Sequence, residues 1–152
     1  MARSPGGACR GFEWERAARY AESIQRIQSR GVSVNGCFVL GFDDDESVFP
    51  DTFELVRQLD LAEVQSTLLT PFPGTRLYAE LRRRNRLLRT ADWSRCTLFD
   101  VTFEPAQMSF GALRTGFRDL MRALYADAEV ARRKRVYRRC QKQKRKVQPS
   151  SA

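Results

Sequence analysis

Two apolar runs, each halted by a turn that a strand cannot continue through, constrain this chain more than any other feature. The first is "VSVNGCFVLGFDDDE", residues 32–46. The second is "VQSTLLTPFPGT", residues 64–75. Consecutive apolar residues such as Cys37 to Leu40 predict a strand covered on both faces, as in a parallel sheet, with Cys37 buried. Helical spacing surrounds both runs. Trp14, Ala17, Ala18, Ala21 and Ile24 predict a helix over 13–29, stopped by Gly31. Phe49, Phe53, Val56 and Leu59 predict a second over 47–59, and Leu77, Tyr78 and Leu81 a third. The order helix, strand, helix, strand, helix, with short connections, is that of two parallel βα units. The expected class is therefore α/β.

The rhythm then changes towards α+β. "DWSR" reads as a turn with Asp92 as a cap. Phe99, Val101 and Phe103 alternate as in a half-buried strand. Ser109 can cap a long helix whose stripe is Phe110, Leu113, Phe117, Leu120, Met121 and Leu124. That stripe is the pattern of core packing.

Charge is unevenly placed. The 152 residues carry a net +9, but residues 132–146, "RRKRVYRRCQKQKRK", hold 10 of the 27 basic residues and no acid. The rest is nearly neutral. A block of like charge is expected to be a solvated tail, with weak phosphate binding as its functional alternative. All four lysines lie in it.

Several chemistries are excluded by composition. The chain has no histidine and four well-separated cysteines, Cys9, Cys37, Cys96 and Cys140. A zinc site, a redox pair and a Ser-His or Cys-His nucleophile are not expected. The cysteines are read as reduced. The N-terminus lacks an apolar signal region and no run is long enough to cross a bilayer, so a cytoplasmic protein without a membrane partner is expected.

The two turns remain. In parallel α/β folds the carboxyl ends of strands carry the ligand sites. Asp43, Asp44 and Asp45 are adjacent, so they project in different directions and lack the alternation of a calcium loop. Capping of the following helix is the simpler reading. In "TPFPGT", Pro71 and Pro73 end strand pairing, Gly74 allows the turn and Thr75 can cap the next helix. The expected product is a rigid rim with carbonyls exposed near Thr70 and Pro71.

The stretch from "GVSVNGCFVLGFDDDE" to "TPFPGTRLYAEL" resembles the fifth and sixth strand-helix units of radical SAM enzymes, especially those with an N-terminal cobalamin-binding domain. "DWSRCTLFDVTFEPAQMSFGALRTGFRDLMRALY" is similar to the uncharacterised C-terminal domain that follows the barrel in many of them. The likeness covers roughly residues 13–127. It implies a partial TIM-like barrel over 13–88 and the C-terminal domain over 89–128; residues 1–12, rich in Gly, Ser and Pro, are read as disordered, and 129–152 as the basic tail. It implies that Val39, Gly41 and Asp44 lie on the fifth-strand adenine motif of S-adenosylmethionine, and Leu69, Thr70 and Pro71 on the sixth strand near the same ring. Cys37 and Asp44 stand where the family uses glycine and glutamate. The family's cofactors are S-adenosylmethionine, an iron–sulfur cluster and often cobalamin carrying a methyl group. The C-x-x-x-C-x-x-C cluster motif, the Gly-Gly-Glu stretch and a cobalamin domain do not occur here.

The implied role is the rear part of such an enzyme. It would supply part of the adenine pocket and the substrate-side domain, with no catalytic or metal-binding residue of its own. It would be inactive alone and partnered, in cis or in trans, by the missing N-terminal half. A strand edge near Val34 to Leu40 would be left open and would make the isolated chain poorly soluble. The rival readings are a nucleic-acid-associated protein acting through residues 132–146 and a stand-alone α/β enzyme.

Overall fold

A computed structural model of the protein describes residues 19–88 and 93–147. The expectations for residues 1–12, for Trp14, Ala17 and Ala18, and for the Asp92 cap lie outside the described residues. The described chain comprises helix α1 (19–29), strand β1 (Asn35–Leu40), helix α2 (Val48–Gln58), strand β2 (Glu63–Leu68), helix α3 (Arg76–Arg83), a 3-10 turn (Trp93–Arg95), and helices α4 (Phe110–Leu124) and α5 (Asp127–Val147). β1 and β2 form a two-stranded parallel sheet. The α/β fold with two βα units followed by long helices is thus observed.

Three helices end in the same way, on a residue with positive φ. These are Gly31 (φ 84°), Asp60 (φ 47°) and Asn85 (φ 52°). Their amides close back on Gln28, Arg57 and Arg82. Such left-handed caps satisfy carbonyls left without partners in the last turn. At the other ends, the Ala112 amide donates to Ser109 Oγ at 3.0 Å and the Tyr78 amide to Thr75 Oγ1 at 3.2 Å. Both caps agree with the sequence reading.

The chain divides into two compact units. Of the described residues, the first comprises 19–37, 51–65 and 122–147. Its buried apolar residues include Val56, Leu61, Leu124, Val136 and Cys140. The basic block runs as a helix from Asp127, the start its sequence suggests, but the structure corrects its solvation: residues 132–146 lie within α5, and the helix is packed rather than solvated all round. The cluster of Ala62, Val136 and Cys140 is one reason. Asp60 is another: its carboxylate accepts Arg132 Nη1 at 3.2 Å and also pairs with Arg139. Arg132 further pairs with Glu129 at 2.8 Å. A charge run conceals such a face because two apolar residues four apart suffice to seat a helix.

Burial pushes the Cys140 thiol above its ordinary value, and Asp60 adds to that while Arg139 opposes it. The unfolded thiol ionises near pH ~8.5, whereas the folded one keeps its proton further up. This group's contribution is therefore complete below about pH 8.5 and declines as pH rises from there. Stability of the wild-type chain should show that alkaline decline, and Cys140→Ala should flatten it, in urea titrations between about pH 7 and 10. An identical slope in both proteins would count against the assignment.

The second unit comprises, of the described residues, 38–50, 66–88 and 93–121. Leu40, Leu68, Leu81, Phe103, Leu113, Phe117 and Leu120 are buried in it, which places the α4 stripe in a core as expected. Gly116 leaves room for the Phe49 ring, since a side chain there would overlap it.

Two strand expectations fail. Exposure in β1 alternates, with Asn35, Cys37 and Val39 outward and Leu40 buried. Cys37 is exposed, not buried. One face of this strand is uncovered in the described chain, so its apolar run marks two different faces rather than two covered ones. Around Phe99 to Phe103 no strand forms; a single antiparallel bridge joins Leu87 to Phe103. Phe99 is exposed, whereas Val101, Thr102 and Phe103 are all buried. Alternation of residue type therefore did not carry over into alternation of burial.

Candidate functional site

The candidate site lies in the second unit, beyond the carboxyl ends of β1 and β2. The Leu69 amide donates to the Leu40 carbonyl at 2.7 Å, so the two strands leave the sheet side by side. Gly41 follows at φ 100°, a conformation open to glycine. A methyl group on Gly41 would lie 3.2 Å from Leu113 Cδ2 and 3.5 Å from Phe103 Cζ. The turn is thus pressed against the core, where a side chain would be strained by the backbone and would displace Leu113 by a few tenths of an ångström.

A cleft of about 110 Å³ opens here. Its apolar wall includes Leu69, Leu77, Leu81 and Phe103, and Gly41, Phe42 and Asp43 form the side nearest β1. Two ion pairs stand at its edge. Arg86 Nη2 reaches Asp43 Oδ1 at 3.1 Å, and Arg84 Nη2 reaches Glu80 Oε1 at 2.7 Å.

Of the residues expected to meet adenine, Gly41 and Leu69 line this cleft. Val39 is 48% exposed, on the open face of β1. Asp44 is half-buried and does not line the cleft. Thr70 and Pro71 are buried, which corrects the expectation of an exposed rim at those two positions. The Thr70 hydroxyl donates to the Leu68 carbonyl at 3.2 Å. The outward part of "TPFPGT" is Phe72 with Gly74 and Thr75. Thr75 Oγ1 closes that turn by donating to Phe72 O at 2.7 Å.

The acidic cluster divides its work. Asp45 Oδ1 accepts the Ser47 amide at 3.0 Å, and its carbonyl accepts Val48 at 3.2 Å, so it nucleates the start of α2 as a cap would. Asp43 instead pairs with Arg86, a partner 43 positions away. Among the described residues, no three cysteine, aspartate or glutamate side chains gather as a metal site. Cys37 and Cys140 are free thiols. This donor set does not fit a thiolate-ligated cluster.

Arg86 was not singled out from sequence, and Phe103 was read there only as a strand residue. Arg86 belongs to "RRRNR", where nothing in composition separates one arginine from its neighbours. The available signal was Asn85, a residue tolerant of positive φ that ends α3 and turns Arg86 out of the helix.

Residues 75–152, just over half the chain, match the family described as "Domain of unknown function (DUF4070)". The chain is 29% identical over 119 residues to the bacteriochlorophyllide d C-12(1)-methyltransferase of Chlorobaculum tepidum, covering 78% of this chain and 25% of that protein. It is 32% identical over 80 residues to an uncharacterized methyltransferase of Pyrococcus horikoshii, covering 52% of this chain and 17% of that protein. The chain thus spans a quarter or less of the length of these relatives. The expected resemblance and the matched domain agree: this chain belongs to the DUF4070 family, a C-terminal domain of cobalamin-binding radical SAM methyltransferases.

Proposed function

We propose that this chain supplies the C-terminal part of a radical SAM methyltransferase, forming one edge of the S-adenosylmethionine site and the domain beside it. The observation that carries this reading is the joint exit of β1 and β2, with Gly41 and Leu69 in one cleft and Val39 open beside them. An apolar edge of this kind suits the flat face of a purine. Val39, Gly41 and Leu69 are the residues assigned to meet the ring; Thr70 and Pro71 support the turn from within. Asp44 is assigned to the same edge. S-adenosylmethionine supplies the adenine and, when cleaved at a cluster held elsewhere, the radical. This chain's part is to bind and orient. Its partner is the remaining portion of the enzyme, joined or separate.

The test is a chimera. Residues 36–127 replace the aligned stretch of the Chlorobaculum tepidum methyltransferase, and S-adenosylmethionine binding is measured by equilibrium dialysis. The chimera should bind, and Gly41→Val in it should weaken binding about tenfold or more, because a branched side chain is incompatible with that φ and with Leu113. A soluble, cluster-loaded chimera with no binding would sink the proposal.

A second reading has its own observation. Arg135, Arg138, Lys142 and Lys146 are exposed and follow one another along one side of α5, with Arg139 and Gln143 beside them. Eleven residues of helix place these cations along about 16 Å. Nucleic acid suits such a stripe. A membrane suits it less, because Val136 and Cys140 are turned inward and Tyr137 is the one large apolar side chain that α5 exposes among the described residues. Binding of a labelled duplex should weaken with salt at a log–log slope of about −3 to −4, the value for four phosphates. Replacing the four cations by glutamine should abolish it. Retention of affinity by that variant, or preference for anionic vesicles over duplex, would remove this reading.

A further inference from the structure

We infer that Arg86 and Gln107 clamp the turn after β1 as positioning residues. Both donors lie within the matched domain of unknown function; the residue they hold, Asp43, lies outside it. Arg86 Nη2 donates to the Asp43 carboxylate at 3.1 Å, and Gln107 Nε2 donates to the Asp43 main-chain carbonyl at 2.6 Å. One bond fixes the side chain and the other the backbone, so Asp43 is held in position and orientation.

The direction of the clamp follows from how each end is anchored. Arg86 Nε donates to the Glu104 carbonyl at 2.7 Å, and the Glu104 amide returns a bond to the Arg86 carbonyl at 2.8 Å. The bridge of Leu87 with Phe103, and the Leu88 amide on Thr102 O at 3.1 Å, continue that ladder. The Arg86 side chain is 17% exposed, whereas that of Asp43 is 61% exposed. The guanidinium is therefore set in place by its own strand-like arm before it meets the aspartate. An isolated exposed ion pair holds little. Here a preset donor and a second bond to the same residue's backbone act together on a turn only two residues beyond the positive-φ Gly41. This gives the domain a task in the enzyme: to keep the β1 turn in one conformation. That purpose rests on the reading of the turn as a cofactor edge; the contacts do not.

Hydrogen exchange on the 152-residue chain tests it without any cofactor. The amides of Ser47, Val48 and Phe49 report the turn, because they bond to Asp45 and Glu46. The double variant Asp43→Ala/Gln107→Ala should speed their exchange about tenfold, while amides in the middle of α4 keep their rates. Asp43→Asn alone, which retains an acceptor for Arg86, should stay near wild type. Unchanged exchange at 47–49 in the double variant would overturn the clamp. So would equal acceleration in α4, since the contacts would then support the fold at large. A chimera that fails to bind S-adenosylmethionine while this protection pattern holds would remove the functional reading and leave the clamp standing.

Discussion

Gly31→Ala is expected to destabilise the protein by about 3 kcal/mol or more, seen as a thermal midpoint lower by roughly 6–12 °C. Two costs add. Gly31 has φ 84°, where a Cβ meets its own backbone, an expense of about 1–2 kcal/mol. The same Cβ would also overlap the main chain of Lys144 in α5. Backbone cannot rotate aside as a flexible side chain can, so α5 must shift, at a further ~1–3 kcal/mol for overpacking. Gly74 is the natural control. Its φ is 87°, but nothing lies within 4 Å of where its Cβ would be. Gly74→Ala should therefore show the backbone cost alone, about 1–2 kcal/mol. Equal losses for the two variants in urea unfolding would mean that α5 does not lie against Gly31.

Phe103→Ala is expected to cost about 3–5 kcal/mol, the range for removing a buried ring. Phe103 is 1% exposed, lines the cleft and approaches Gly41. Its removal empties the wall on which the β1 turn rests. Phe103→Leu keeps most of the volume and should lose clearly less. Because the Arg86–Glu104 backbone bonds survive both changes, the difference between them isolates packing from the bridge. A loss below ~1 kcal/mol for the alanine variant would show that the ring is not a core element.

Read along the chain, both βα units, the helix caps at Thr75 and Ser109 and the stop at Gly31 were legible. Each rests on interactions among residues a few positions apart, and local residue type states those directly. The apolar stripe of α4 was legible for the same reason. The two turns after the strands could also be placed, since proline and glycine impose backbone limits wherever they stand.

What the sequence left open was decided by residues far apart. Whether Cys37 is covered depends on which face of β1 has a layer against it, and an apolar run is silent on that. Whether a basic block is solvated depends on Asp60 meeting Arg132 and Arg139 across more than 70 positions, and on Val136 and Cys140 finding Ala62. The choice of Arg86 from four arginines, and of Asp43 from three aspartates, was made by the bridge between Leu87 and Phe103. Local chemistry set the elements and their ends. Which charged groups became partners was set by the packing that brought them within hydrogen-bond reach.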